Sequence, residues 1–265
     1  MRVRKTISNF WRMIKLTNHE LDKFGVYIWT SNSLMHCCPA WAYLFNKFWP
    51  WPQKVKILGY NNPDFDLPQN FEYISLGVQR GPKFWSDDMI DYFSSNEDHE
   101  VFYLTTEDGF LVHPVNSGIL NLATRIAFDN IDEKFMRFNL TSDIQSRPHE
   151  LVAGSPYGEY DLIKASQRSI YRQSLQHSIW RRDSFLKKLI PGQSPWDFEL
   201  DNARAINDGL DVYATKRKYG IHCGHGYMRG KKIKNWYADA HDHEGIGLSK
   251  EDIDFIEDNN WMPEI

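Results

Sequence analysis

The chain has 265 residues, enough to bury a sizeable core in one α/β domain. Its 42% hydrophobic and 25% charged content is ordinary for a globular protein, but 15% aromatic residues, ten of them Trp, is high and suits cores as well as stacking on sugars or bases. A formal charge of −4 excludes a surface built throughout to hold nucleic acid, three cysteines exclude a dense disulfide framework, and no apolar stretch reaches the roughly 18–20 residues that a bilayer-crossing helix needs.

Residues 1–25 begin basic and carry Phe10, Trp11, Ile14 and Leu21 at spacings that make one apolar helical face. A helical extension packed on the domain's own core is the plain expectation, with a membrane-surface or partner helix as the alternative. No signal-peptide apolar region is present, and a cytoplasmic location is expected.

From residue 26 the pattern alternates strand and helix. Val26 to Trp29 reads as a buried strand and Ala40 to Phe48 as a helix closed by Pro50 and Pro52. Strands follow at Val55 to Tyr60 and Phe71 to Leu76, then a helix over 86–95 with Ser86 as its cap and two aspartates at its positive start. A fourth strand, Val101 to Thr105, runs directly into Glu107-Asp108-Gly109.

The second half predicts a helix near 115–129 and a strand from Phe135 to Leu140. A strand leading to a short helix at 183–189 comes next, then a helix from Ser194-Pro195 to about Asp208. Strands at 212–216 and 220–223 and a Ser-x-x-Asp capped helix at 249–256 complete it. The expected fold is therefore α/β, one domain over 26–240, with a mostly parallel central sheet flanked by helices, an elaborated C-terminal half and a tail at 241–265.

Glu107-Asp108 ends a buried apolar strand, the place where ligands of parallel sheets gather. Hard carboxylate oxygens there suit Mg²⁺ or Mn²⁺ against a diphosphate. A solvated turn with a helix cap is the bland reading of the same dipeptide. Asp197 and Glu199 form a second acidic pair, two apart near a helix start, so they point in different directions and one of them can serve as general base. The bland reading is that both favour the helix N-terminus electrostatically.

Between these pairs, Gln173, Gln176 and Trp180 offer amides and an aromatic platform for a polyhydroxylated acceptor, and Arg181 and Arg182 offer phosphate partners. His222-Cys223-Gly224-His225 and His241-Asp242-His243-Glu244 invite a zinc reading but lack the paired-cysteine spacing of a closed structural site. Loop histidines without metal are the plainer reading. His225 followed by Arg229, Lys231 and Lys232 reads as an arm over a diphosphate. Gly77-Val78-Gln79-Arg80-Gly81 has the wrong glycine spacing for a dinucleotide fingerprint, and no Walker or nucleophile-elbow motif appears.

Several stretches, in one order over roughly residues 26–235, resemble a family of bacterial and phage glycosyltransferases with a GT-A-like fold. They are Trp29-Thr30-Ser31, Tyr43 to Lys47, Phe71 to Gly77, Lys83 to Asp87, Glu107-Asp108, Ser174 to Trp180 and Pro191 to Glu199. The resemblance implies nucleotide contacts from Thr30, Ser31 and Asp87, and it makes Glu107-Asp108 the counterpart of an Asp-x-Asp metal motif. Gly109 stands where that motif has its second aspartate, which leaves Asp108, with His225, as the metal ligands. It further implies an acceptor-activating carboxylate at Glu199 or Asp197, a donor-binding role for Glu107, and a diphosphate contact from His225 with Arg229 or Lys231. The expected reaction moves a sugar from a UDP-, GDP- or dTDP-sugar to a hydroxyl of a glycan, a lipid-linked sugar or a modified DNA base, assisted by Mn²⁺ or Mg²⁺. A non-catalytic carbohydrate-binding protein and a nucleotidyltransferase are the rival readings.

Overall fold

Two apolar runs, Phe24–Trp29 (β1) and Val101–Thr106 (β4), are buried at every position but the last. Continuous apolar runs of this kind belong to strands covered on both faces, and the two pair in parallel at the centre of the sheet, Trp29 opposite Thr106. The computed structural model describes residues 18–129, 134–152, 160–201, 206–217, 219–228, 231–240 and 245–263.

Val55–Gly59 (β2) and Phe71–Ser75 (β3) add in parallel outward from β1. On the other side of β4 lies Ser178–Arg181 (β9), antiparallel to both β4 and Phe135–Asn139 (β6). Asp211–Thr215 (β10), Leu162–Ala165 (β8) and His149–Leu151 (β7) complete the order β3-β2-β1-β4-β9-β6-β10-β8-β7. Only β9 and β8 oppose the common direction, so the sheet is mostly parallel, as the sequence leads one to expect. Gly109–Leu111 (β5) and Cys223–His225 (β11) form a separate antiparallel pair.

Helices cover both faces. Val26 and Ile28 of β1 point into one core with Cys38–Phe48 (α2), Ser117–Phe128 (α4) and Lys250–Asp258 (α7). Tyr27 points into the other with Trp85–Ser95 (α3), Arg182–Lys188 (α5) and Pro195–Leu200 (α6). Each fully buried large apolar side chain contributes about 1.5–3 kcal/mol, and Trp41, Trp85, Trp180 and Trp236 are all of this kind. The high tryptophan content is thus largely core.

Of the N-terminal extension, Asn18–Asp22 (α1) is described, and Glu20 grips Arg125 of α4 through both carboxylate oxygens, the second at 3.0 Å. Phe10, Trp11 and Ile14 lie outside the described residues. The C-terminal helix is joined to the core: Ile256 is fully buried, and Asp252 accepts from Tyr43 and Lys47 of α2 at 2.6 Å.

Several predicted features differ: the strand expected at 220–223 forms at Cys223–His225, and β7 and β8 were not expected. Helix α3 starts at Trp85, so Ser86 is not its cap; it is buried in the first turn, and its hydroxyl accepts the Gln193 N–H at 2.9 Å. Helix α6 ends at Leu200, where the Asp201 N–H turns back to Phe198 O, well short of the predicted Asp208.

Candidate functional site

Backbone pairing continues past the strand ends at one edge of the sheet. Thr30 N–H donates to Leu58 O, Leu76 N–H to Gly59 O and Glu107 N–H to Trp29 O. The loops that follow β1, β2, β3 and β4 are then tied to one another through side chains. Ser31 N–H donates to Glu107 Oε1 at 3.2 Å, Asn32 N–H to Gln79 Oε1 at 3.1 Å and Asn61 N–H to Asn32 Oδ1 at 3.0 Å. Four loops therefore form one rim. Gly77 and Gly81, at φ of +89° and +115°, permit the turns that bring Gln79 back across it.

Glu107 and Asp108 part company at this rim. Glu107 is 2% exposed and its carboxyl holds the Ser31 loop. Burial pushes its proton affinity up, the Asp108 charge acts in the same direction, and bonds from its own N–H, Ser31 N–H and the Thr30 hydroxyl oppose the shift. A buried group so engaged positions the Ser31 loop. Asp108 is half-exposed, with Oδ1 accepting from the Thr106 hydroxyl at 2.7 Å. Thr30 is fully buried, leaving Ser31, half-exposed and bonded to the Ser33 hydroxyl at 2.9 Å, as the member of that pair at the surface.

The β5–β11 ladder sets His225 directly opposite Gly109. The next residue, Gly226, donates its N–H to Asp108 O at 2.8 Å. The backbone of His225 is thus held next to the turn that carries Asp108. His36 donates or accepts with the Tyr227 hydroxyl at 3.0 Å, which ties the stretch after His225 to the stretch after β1. Lys231 sits exposed on the small hairpin Tyr227–Met228 (β12) with Lys231–Lys232 (β13), while Arg229 lies outside the described residues.

Glu199 approaches the same edge from α6. Its Oε1 accepts from Leu175 N–H at 2.6 Å and from the Ser174 hydroxyl at 3.1 Å. The 174–177 stretch enters β9 against the end of β4, Ser178 opposite Leu104, and a Cβ placed on Gly109 would stand 3.0 Å from His177 Nε2. Burial raises the Glu199 proton affinity against its hydrogen bonds, with the Arg137 charge opposing and the Asp143 charge adding. Arg137 itself is fully buried and donates to Arg172 O at 2.8 Å and Ser178 Oγ at 2.6 Å, fixing the strand start on which Glu199 leans.

Other expected site residues have different duties. Asp197 completes a capping box, its Oδ2 accepting from Ser194 N–H at 3.0 Å and Ser194 Oγ–H at 2.7 Å, which holds its carboxyl below the usual range; it caps α6 instead of activating an acceptor. Trp180 is fully buried against Phe185 and Phe198 and offers no platform. Gln173 is 1% exposed and donates to Phe198 O, while Gln176 is half-buried beside it. Asp87 accepts the Gly192 N–H at 2.8 Å, tying α3 to the 191–194 loop. Arg181 and Arg182 lie at the opposite edge of the sheet, beside Glu100 and the start of β4, far from any diphosphate at the rim.

Asn32, Asn61, Gln79 and His36 went unpredicted. The positive-φ glycines around Gln79 were the available signal, since a Gly-x-x-x-Gly stretch after a strand marks a tight loop whatever its fit to a nucleotide fingerprint. Grooves of about 520 Å³ beside Trp49 and Trp51, 690 Å³ between Tyr43, Phe255 and Trp261, and 370 Å³ beside His149 and Lys164 are not lined by Asp108, Glu199 or His225. The rim is defined by its side chains and register. Among the described residues no helix is long and apolar enough to cross a membrane.

No protein-family model matches the chain, and no curated protein matches it. Solved structures that overlay on it include the crystal structure of S. aureus TarS 1-349, at 14% identity and TM-score 0.42 over 74% of this chain and 59% of that one. The crystal structure of A197 from STIV overlays at 10% identity and TM-score 0.38 over 78% of this chain and 87% of that one. The chain spans well under two thirds of TarS 1-349, and the chemistry of the rim rests on its own residues.

Proposed function

We propose that this protein is a glycosyltransferase of GT-A-like fold that moves a sugar from a nucleotide-sugar donor to a hydroxyl acceptor at the rim formed by Ser31, Asp108, Glu199 and His225. The observation that supports the reading is the backbone register of His225 against Gly109, next to the half-exposed Asp108 at the carboxyl end of the central strand.

That pair fits a divalent cation. Carboxylate and imidazole suit Mn²⁺: Asp108 and His225 would hold the ion, and donor oxygens and water would supply its remaining ligands. When bound, the cation supplies charge neutralisation to the departing diphosphate. The chain's own residues supply the rest. Glu199 accepts the proton of the attacking hydroxyl, its raised proton affinity suiting a base that works near neutral pH and its Oε1 held by Ser174 and Leu175. Glu107 keeps the Ser31 loop in place for the nucleotide, and the exposed Lys231 meets the phosphates. An inverting displacement follows from a single base. A surface glycan or lipid-linked sugar is the favoured acceptor, since a net charge of −4 disfavours DNA.

The test is incubation with Mn²⁺ and UDP-, GDP- and dTDP-sugars, followed by identification of the released nucleotide. Release of a nucleoside diphosphate is expected. Release of pyrophosphate makes the protein a nucleotidyltransferase, and sugar binding without turnover makes it a carbohydrate-binding protein.

A further inference from the structure

Two grooves flank the C-terminal half of α2 and share Asn46 as a lining residue. One, of about 520 Å³, runs beside Trp49 and Trp51, and the other, of about 690 Å³, lies between Tyr43, Phe255 and Trp261. Each has the roughly 300–1,000 Å³ of a small-ligand cleft. In the first groove, Gln53 donates through Nε2 to Phe24 O at 3.0 Å, at the start of β1. Trp29 ends the same strand at the rim, about 17 Å away along an extended chain. This groove is therefore separate from the proposed site of transfer.

The lining combines aromatic rings with side-chain amides. Trp51 is half-buried and stands edge-on to Trp49, ring centres 5.9 Å apart. In the second groove Tyr43 and Phe255 lie 4.8 Å apart at 36°, Phe255 is 43% exposed, and Trp261 stands 5.4 Å from it at 84°. Asn46 and Asn70 bond to each other in both directions, at 3.2 and 2.8 Å, which fixes their planes and leaves one Asn46 N–H and oxygen lone pairs for another partner. Trp49 lines the first groove, is 7% exposed, and its indole N–H meets no acceptor among the described residues. A buried donor left unmade is costly, and a ligand hydroxyl is an acceptor that relieves it.

We infer that these two grooves together bind a linear, uncharged hexose oligosaccharide at a site remote from the transfer rim. Sugar rings present C–H faces that suit aromatic rings and hydroxyls that both donate and accept, as side-chain amides do. Exposed Lys54 and Asp66, one in each groove, are of opposite sign, and Lys47 is neutralised by Asp252 at 2.6 Å, so the lining selects no net charge. A proline-rich peptide also suits an aromatic groove, but its backbone offers mainly carbonyl acceptors and leaves the amide oxygens unmatched. An oligomer that crosses Asn46 meets both sets of rings, which a single sugar does not. The inference does not rest on the transferase reading.

The experiment uses the full chain, unaltered and carrying Asp108→Ala with Glu199→Gln, without nucleotide sugar or added cation. Maltohexaose, cellohexaose and laminarihexaose are the probes, with a proline-rich peptide as the rival ligand. At about 5 mM, where even a millimolar complex is mostly formed, at least one oligosaccharide is expected to shift the Trp51 and Trp261 indole N–H signals in ¹H–¹⁵N spectra of both chains. Asn46→Ala and Trp51→Ala should each weaken binding about tenfold, and Trp51→Phe, which keeps a ring, should restore most of the loss. No shift with any of the three oligosaccharides, an affinity unchanged by Asn46→Ala and Trp51→Ala, or equal binding of the peptide would each overturn the site. Shifts in the unaltered chain that vanish with Asp108→Ala and Glu199→Gln would locate the sugar at the rim, overturning the groove site while leaving the transferase reading in place.

Discussion

His225 sits across an antiparallel ladder from Gly109, and the N–H of the following glycine closes on the carbonyl of Asp108. A residue late in the chain is thereby held against the turn that ends the central strand. The pairing is made by the backbone, so it holds the two chain segments together whichever rotamers their side chains adopt.

The first prediction concerns Asp108. Its carboxylate is half-exposed and bonded to the Thr106 hydroxyl, so Asp108→Ala should change stability by less than about 1 kcal/mol. Donor turnover should fall by about 10²-fold or more, with Mn²⁺ stimulation lost. Melting curves and nucleotide release measured on the same preparation decide it; unchanged turnover removes Asp108 from the site.

Glu199→Gln keeps an oxygen for Leu175 N–H and Ser174 Oγ–H but cannot take a proton. We expect a loss of about 10²–10⁴-fold in kcat with the fold retained. The pH profile gives a second readout. A base must be ionised to act, and burial raises this carboxyl, so the acid limb of the wild-type rate profile should lie above the ordinary carboxylate range and vanish in the variant. An acid limb at the usual glutamate position would assign the base elsewhere.

Strands β1 and β4 were legible in the amino-acid sequence because double-sided burial writes itself as unbroken apolar runs, whereas the short β7 and β8 were not. Helix starts with Pro and a capping box, as at Ser194-Pro195, were legible too. The end of α6 was not, because no glycine or proline marks Leu200. Trp180 misled for a different reason: a tryptophan on a central strand and one on a binding face have the same local sequence, and only its place between β4 and β6 tells them apart. Asp108 and Glu199 could be named from strand-end and helix-start position. The backbone approach of His225 to the Asp108 turn depends on the β5–β11 ladder, which joins segments far apart in the chain.

A further prediction concerns acid stability. His99 is half-buried with Nδ1 on the Tyr27 hydroxyl at 2.6 Å, and burial, aided by the Lys56 charge and opposed by Asp98, lowers its proton affinity below the ordinary 6.5. The unfolded chain therefore binds a proton at a higher pH than the native one. The stability tied to neutral His99 is full above about pH 6.5 and is lost as pH falls through the lower native value. His99→Gln should flatten the slope of unfolding free energy against pH in that window, read from urea melts; an identical slope would show that another group carries it.

The last prediction returns to the ladder. A Cβ on Gly224 would stand 2.0 Å from Trp236 O and 3.0 Å from Ala238 O, backbone oxygens that cannot rotate aside. Gly224→Ala must therefore push β11 away from the 236–240 segment, at a cost of about 1–3 kcal/mol or more. Because Gly224 adjoins His225, the same shift moves the imidazole relative to Asp108, and a displacement near 1 Å can cost about 10²-fold in rate. Urea melts should show the destabilisation, and turnover at saturating Mn²⁺ should remain depressed at temperatures well below the new midpoint. If the variant is destabilised yet turns over at the wild-type rate, the Asp108–His225 relation has no part in catalysis, and the rim's chemistry would have to be carried without His225.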